Sequence, residues 1–210
     1  MHTLICGVTE TGKTTLAQCL AQADREGKEK LPVLVYDPVD TDTLAGGWPN
    51  GTIFFDDKNK FLKYLAKFRD AKCSVYIDES ADLLGQQDKH NFWILTRGRH
   101  YGFNVVLLAQ RPKMLAPSVR HQCTRLIMFR VSIDDARIVG QDFGHSDFHT
   151  MDLDRGDFIC AYSGHSTYTR GNVFVLAKRR GELLRVLAPP LDKESKWIHT
   201  SGKAPSSPSS

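Results

Sequence analysis

Cysteine is scarce in this chain: five among 210 residues. Cys6, Cys19, Cys73, Cys123 and Cys160 are scattered, odd in number and form no C-x-x-C pair. That argues against a disulfide framework or a cysteine metal knuckle and fits reduced thiols inside a cell. Long apolar runs are missing too. The longest, Val105-Val106-Leu107-Leu108-Ala109, falls far short of the roughly 20 residues of a membrane span. No signal peptide is evident, because the early apolar stretch is too short and reads as a strand. No internal repeat and no base-reading DNA motif are visible. A guanine-reading N-K-x-D is also missing: Asn59-Lys60-Phe61-Leu62 lacks the acid. Finally, no acidic residue falls between Asp88 and Asp134, a stretch that carries Lys89, Arg97, Arg99, Arg111, Lys113, Arg120, Arg125 and Arg130. Such a block suits a polyanion, either nucleic acid or a neighbour's nucleotide; the alternative is a solvated surface balanced by acids elsewhere. The net charge of +4 says little by itself.

What is present begins at once. Gly7-Val8-Thr9-Glu10-Thr11-Gly12-Lys13-Thr14 fits G-x-x-x-x-G-K-[ST], the phosphate-binding loop. Leu4-Ile5-Cys6 before it reads as a strand, and the run from Thr14 through Thr15 to Ala21 reads as a helix. Backbone N–H groups from Gly7 to Thr15 would wrap phosphate oxygens, with Thr9, Glu10, Thr11 and Gly12 shaping the loop. The helix N-terminus adds its positive dipole end. Lys13 would reach the β- and γ-phosphates of ATP, and the Thr14 hydroxyl would hold Mg²⁺. The competing reading is a glycine-rich turn with an exposed lysine.

Strand and helix signals then alternate, the pattern of an α/β fold with a mostly parallel central sheet covered by helices. Pro32–Tyr36, Thr52–Phe55, Ser74–Ile77, Asn104–Ala109 and Leu126–Phe129 read as strands. Residues 58–71 read as a helix with Phe61, Leu62, Leu65 and Phe68 on one face. Residues 91–100 also read as helical, and Ser132 as a helix N-cap. From about residue 156 the pattern changes to short strands at Phe158–Tyr162, Thr167–Thr169 and Asn172–Leu176, a β-rich C-terminal edge. The expected organisation is one P-loop domain over residues 1–198, with nothing before it, and a disordered Ser/Pro-rich tail over 199–210.

Two further strand ends carry chemistry. Cys73-Ser74-Val75-Tyr76-Ile77 runs into Asp78-Glu79. Carboxylates at the C-terminal end of a parallel strand face the ligand crevice. Asp78 would hold Mg²⁺ and Glu79 would polarise an attacking water; the alternative is the acidic first turn of a helix. Kinases and GTPases of the P-loop class generally lack this pair, whereas the additional-strand ATPases have it. In those enzymes a polar residue at the tip of the intervening strand contacts the γ-phosphate or the water. Gln110 fits that role; otherwise it caps a strand before Pro112.

Together GVTETGKT, VLVYDP, SVYIDES, TRGRHYG and VVLLAQRP resemble the HerA–FtsK superfamily of DNA-pumping ATPases, over roughly residues 1–140. The resemblance implies an ATP- and Mg²⁺-dependent ring motor of the additional-strand, RecA-like type, usually a homohexamer. It also implies an arginine reaching the neighbour's nucleotide, for which Arg97 and Arg99 are the first candidates and Arg120 and Arg125 the second. The lack of added domains looks like the genome-packaging ATPase of tailless, internal-membrane-containing viruses. That implies double-stranded DNA gripped without regard to sequence, a capsid vertex or viral membrane protein as partner, and a place in the host cytoplasm and virion. Lys113 and Arg120, or the cluster Lys178-Arg179-Arg180, could face DNA; the cluster could equally face the capsid or a membrane surface, or be solvated. The segment after Asp37-Pro38 departs from the family pattern, which leaves its role open. The other readings are a small-molecule kinase, a GTP switch, an assembly or export ATPase, and a plasmid or chromosome translocase.

Overall fold

A computed structural model describes residues 1–39, 47–68 and 71–189. The expected tail at 199–210 lies outside them, as do the last residues of the expected domain.

The apolar segments assemble into one eight-stranded sheet. In chain order the strands are β1 (Thr3–Cys6), β2 (Val33–Tyr36), β3 (Ile53–Phe55), β4 (Cys73–Ile77), β5 (Phe103–Ala109), β6 (Arg125–Met128), β7 (Asp157–Tyr162) and β8 (Tyr168–Asn172). Across the sheet they lie in the order β3-β2-β4-β5-β1-β6-β7-β8. The first six are mutually parallel, while β7 and β8 are antiparallel to their neighbours. β5 therefore separates β1 from β4, which is the additional strand of the expected class. The helices are α1 (Lys13–Glu26), α2 (Lys58–Lys67), α3 (Ala81–Leu84), α4 (Trp93–Thr96), α5 (Pro117–Arg120), α6 (Ile133–Phe143), α7 (Val173–Leu176) and α8 (Arg180–Val186).

The central strands are buried on both faces, so they read as near-continuous apolar runs. Successive side chains still alternate between two cores. Leu4, Cys6, Leu34, Val75, Ile77, Val105 and Leu107 pack in one core with Phe61 and Leu65 of α2 and Val139 of α6. Ile5, Val33, Val35, Tyr76, Val106 and Leu108 pack in the other with Leu16, Ala17, Leu20 and Ala21 of α1. Helices α2 and α6 start at side-chain caps. The Asp57 carboxylate accepts the Lys60 N–H (2.7 Å) at the start of α2. The Ser132 hydroxyl accepts the Asp135 N–H (3.2 Å) at the start of α6. Each cap satisfies a backbone donor that has no partner inside the helix.

Three local expectations fail. Residues 91–100 do not form one helix: a turn at Lys89–Asn91 and the single turn α4 precede further turns into β5. Gly98 sets the break, since a Cβ there would lie 1.8 Å from the Ile94 carbonyl oxygen. Residues 172–176 are not a strand. β8 ends at Asn172, whose side-chain oxygen accepts from the N–H groups of Phe174 (3.0 Å) and Val175 (3.3 Å) and starts α7. A side-chain cap has thus overridden an apolar run that reads as β. Helix α8 is not among the expected elements.

Arg120 is also not where a channel or a finger would need it. It is buried, with Nε donating to Asp142 Oδ2 at 2.6 Å and a guanidinium NH donating to the Leu115 carbonyl at 2.8 Å. Breaking a buried pair leaves an uncompensated charge, so Arg120→Ala is expected to cost about 3–5 kcal/mol. Urea unfolding checks this through a lowered midpoint at unchanged slope. A near-neutral result would show that Asp142 finds other partners.

Candidate functional site

Four parallel strands end close together and turn polar at the same edge. Cys6 pairs with Ala109, Tyr36 with Ile77, and Ile77 with Leu107. The next residues at the tips of β1, β2, β4 and β5 are Gly7, Asp37, Asp78 and Gln110. Asp37, Asp78 and Gln110 line a cleft of about 480 Å³ together with Thr9, Glu10, Gly12, Lys13, Thr14, Thr15, Val39, Glu79, Arg155 and Phe174. That volume lies within the range of small-molecule sites.

The loop from Gly7 to Thr14 is held by close packing. A Cβ on Gly7 would lie 2.7 Å from Phe129 Cβ, and one on Gly12 would lie 2.5 Å from Val173 Cγ1. Gly12 also has φ +105°, which a side chain would strain. Glu10, at φ 62°, takes a left-handed conformation without that freedom. Such a position costs on the order of 1–3 kcal/mol and persists only where its surroundings hold it. The Gly7 N–H donates to the Ala109 carbonyl (3.2 Å) and the Val8 N–H to the Arg130 carbonyl (2.9 Å), which ties the loop to β5 and to the end of β6. The Thr11 hydroxyl (2.8 Å) and Lys13 Nζ (3.0 Å) both donate to the Val8 carbonyl. Burial holds the Lys13 ammonium below its ordinary pKa, opposed by the Asp78 and Glu79 charges. Thr15 is buried at the first turn of α1.

Opposite the loop stand the carboxylates. Asp78 is buried, and Thr14 Oγ1 donates to its Oδ2 at 3.2 Å. Burial pushes the Asp78 carboxyl up to about 6, the Glu79 N–H bond to it pulls the other way, and the Asp37 and Glu79 charges push it further up. A carboxylate held at such a cost, with a hydroxyl beside it, offers oxygen donors of the kind a hard divalent cation takes. The side chains of Asp78 and Glu79 do not simply alternate, because the strand has ended. The Asp78 N–H donates to the Tyr36 carbonyl (2.8 Å) and the Ser80 N–H to the Leu108 carbonyl (3.0 Å). Between these anchors Glu79 takes φ 47°. Its Oε1 accepts from Gln110 Nε2 at 2.7 Å, and Gln110 Oε1 accepts from the Thr9 hydroxyl at 3.4 Å. Loop, carboxylate and glutamine therefore form one hydrogen-bonded chain.

The structure brings Gly7, Thr9, Glu10, Thr11, Gly12, Lys13, Thr14, Thr15, Asp78, Glu79 and Gln110 to one edge. It leaves Arg97 and Arg99 at the other. Both are exposed and precede β5 at its N-terminal end, while Gln110 follows its C-terminal end. A strand of seven residues spans roughly 20 Å at about 3.3 Å per residue, so neither arginine serves the cleft of its own chain. Arg97 instead borders a shallow groove with Lys89, His90, Phe92, Trp93 and Tyr101. Arg125 is spent inside its own chain, donating to the Thr3 hydroxyl at 3.0 Å. Arg179 pairs with Glu182 and Arg180 with Glu26, so the second basic cluster is partly neutralised. Four lining residues, Asp37, Val39, Arg155 and Phe174, are not among the expected site residues. Asp37 accepts from Val39 N–H and Trp48 Nε1, each at 3.0 Å; its place directly after an apolar strand is the available signal. Arg155 and Phe174 come from the β-rich edge, where nothing in the sequence ties them to the loop.

No protein-family model and no curated protein matches this sequence. Solved structures do match in fold. The genome-packaging NTPase B204 of Sulfolobus turreted icosahedral virus 2, bound to ATP-γ-S, superposes with a TM-score of 0.63 at 17% identity, covering 81% of this chain and 96% of that one. The conjugation coupling protein TcpA of pCW3 gives 0.64 at 16% identity, over 88% of this chain and 64% of that one. The cytoplasmic domain of the type VII secretion ATPase EccC of Thermomonospora curvata gives 0.57 at 17%, over 91% and 29%.

Asp78 makes the site pH-sensitive before any ligand binds. Its folded pKa lies above its ordinary value, so the folded state holds a proton that the unfolded chain releases. Stability is therefore lost as pH rises from about 4 to about 6. Asp78→Asn is expected to stabilise the ligand-free protein by about 2–3 kcal/mol at pH 8, with the gain fading toward pH 4. Thermal unfolding across that range measures it, and a less stable variant at pH 8 would contradict it. The architecture of this chain is thus a P-loop NTPase fold with an additional strand, the fold it shares with B204, TcpA and EccC.

Proposed function

We propose that this chain hydrolyses ATP to drive double-stranded DNA, and that its task is to package a viral genome into a preformed capsid. The observation that carries the reading is the hydrogen-bonded chain from Thr9 through Gln110 to Glu79, facing Lys13 across one cleft. A kinase needs an acceptor site, whereas a carboxylate held beside a polar strand tip suits activation of water. In this reading Lys13 neutralises charge on the β- and γ-phosphates. Glu79 takes the proton of the attacking water as its oxygen bonds to the γ-phosphorus, the bond from that phosphorus to the β,γ-bridging oxygen breaks and ADP leaves with that oxygen; Gln110 orients Glu79 and the water. Thr14 and Asp78 would hold Mg²⁺, which when bound neutralises charge on the phosphate oxygens. Arg97 or Arg99 acts on the neighbouring subunit's nucleotide in a ring of copies, a hexamer by the resemblance. Their distance from their own cleft supports a role in trans. An arginine finger is worth about 10³–10⁵ in rate.

DNA contact is assigned to basic residues outside the buried set, including the partly exposed Lys113. It would be independent of base sequence and weakened by salt. The likeness to B204 favours packaging at a capsid vertex. The likeness to TcpA supports a second reading, a plasmid or chromosome translocase with the same chemistry. No helix among the described residues is long and apolar enough to cross a membrane.

ATP turnover of the purified protein, measured with and without double-stranded DNA over a salt series, is the first test. Stimulation that fades with salt is expected; turnover indifferent to DNA favours an assembly or export ATPase. Lys13→Ala should abolish nucleotide binding or hydrolysis. Glu79→Gln should bind ATP and trap it, with turnover reduced at least 100-fold, in keeping with the share of a general base (about 10²–10⁴). Arg99→Ala should keep ATP affinity and lose turnover, and mixing it with Glu79→Gln subunits should restore part of the activity. No recovery would mean that the arginine is structural.

A further inference from the structure

The β-rich C-terminal edge has no role in the reading above, yet it forms one wall of the cleft. Val173 fills the space that Gly12 leaves open, and Phe174 reaches the same glycine. On its other side the Phe174 ring lies against Gly156, where a Cβ would be 2.4 Å from Cδ2. The turn that presents the ring is fixed by the Asn172 cap, and Asn172 Nδ2 donates in turn to Asp157 Oδ1 at 2.7 Å. Arg155 completes the wall. Its Nε donates to the Glu10 carbonyl at 3.2 Å, and its guanidinium lies 5.6 Å from the centre of the Phe174 ring. Phe174 is half-buried and Arg155 exposed, so the guanidinium lies on the solvent side of the ring, at cation–π distance.

The order of the strands says which end of a nucleotide meets this pair. Glu79 and Gln110 stand at the tips of β4 and β5, on one side of β1. Arg155 precedes β7 and Phe174 follows β8, on the other side of β1. With the reacting phosphate directed to Glu79, the nucleoside end points toward Arg155 and Phe174. We infer that the Arg155–Phe174 pair is the platform on which the nucleobase rests, and that it holds the base by its face without reading its edge. This rests on the cleft being a nucleotide site.

The chemistry is that of stacking. A guanidinium plane lies flat on an aromatic base as it does on an aromatic side chain. Every base has a face to stack on, so stacking supplies affinity without selectivity. The sequence also lacks the N-K-x-D that would read guanine. The β-rich edge is thereby a working wall of the nucleotide site.

Equilibrium binding of ATP, GTP and inorganic tripolyphosphate to the full chain tests this. Tripolyphosphate has the charge and no base, so it reports on the P-loop alone. ATP and GTP should bind within about threefold of each other, as stacking without edge recognition requires. Phe174→Leu, which keeps an apolar contact without the ring, should weaken ATP roughly tenfold, as loss of one stacked base does. Arg155→Lys, which keeps the charge without the plane, should do the same, and its exposed position separates that result from misfolding. Tripolyphosphate affinity should stay within about twofold in both variants. Parallel loss of both ligands would make the pair a support for the P-loop and overturn the platform, as would no change in either. A preference for one purine above about 50-fold would overturn the absence of base reading. If the unmodified chain binds neither ATP nor tripolyphosphate, the nucleotide site itself fails and takes the platform with it.

Discussion

The site depends on four parallel strands that stop close together. In a parallel sheet the carbonyl ends point one way, and the chain must leave each strand there to cross back. When β1, β2, β4 and β5 give out at one edge, the first residue past each apolar run is thrown into the same space. A glycine there makes the phosphate loop, and two aspartates and a glutamine become its opposing wall. None of these residues is near the others in sequence; Thr9 and Gln110, which share a hydrogen bond, are 101 positions apart. The arrangement of the cleft is thus a by-product of strand length and register, and the two apolar cores hold that register.

Polar groups are held at this edge at a cost. Asp78 is buried far enough to raise its pKa, Lys13 far enough to lower its own, and Glu10 and Glu79 occupy positive φ. The rest of the fold offsets these costs through the packing of Phe129, Val173 and the sheet against the loop. The buried Arg120–Asp142 pair, by contrast, is fully satisfied and lies away from the cleft, which marks it as structural.

Much of this is legible in the amino-acid sequence. The P-loop shows itself by spacing, and Asp78, Glu79 and Gln110 by their position at the ends of apolar strands, because strand ends are a local property. The order of β4, β5 and β1 follows from the resemblance and is visible in the pairing. What the sequence hides depends on distant partners. Arg120 reads like any exposed arginine until Asp142 of α6 closes on it. The run after Asn172 reads as a strand because the cap that overrides it is a side-chain hydrogen bond. Arg155 and Phe174 carry no signal at all, since nothing near residue 10 says that residue 174 will lie beside it.

That last contact bears on how the protein is made. Gly12 leaves the ribosome about 160 residues ahead of Val173 and Phe174, which pack against it. Through that interval the loop lacks the wall that packs against it, so a growing chain carries the loop sequence without its finished surroundings. The cleft gains this wall only when nearly all of the described chain has been made.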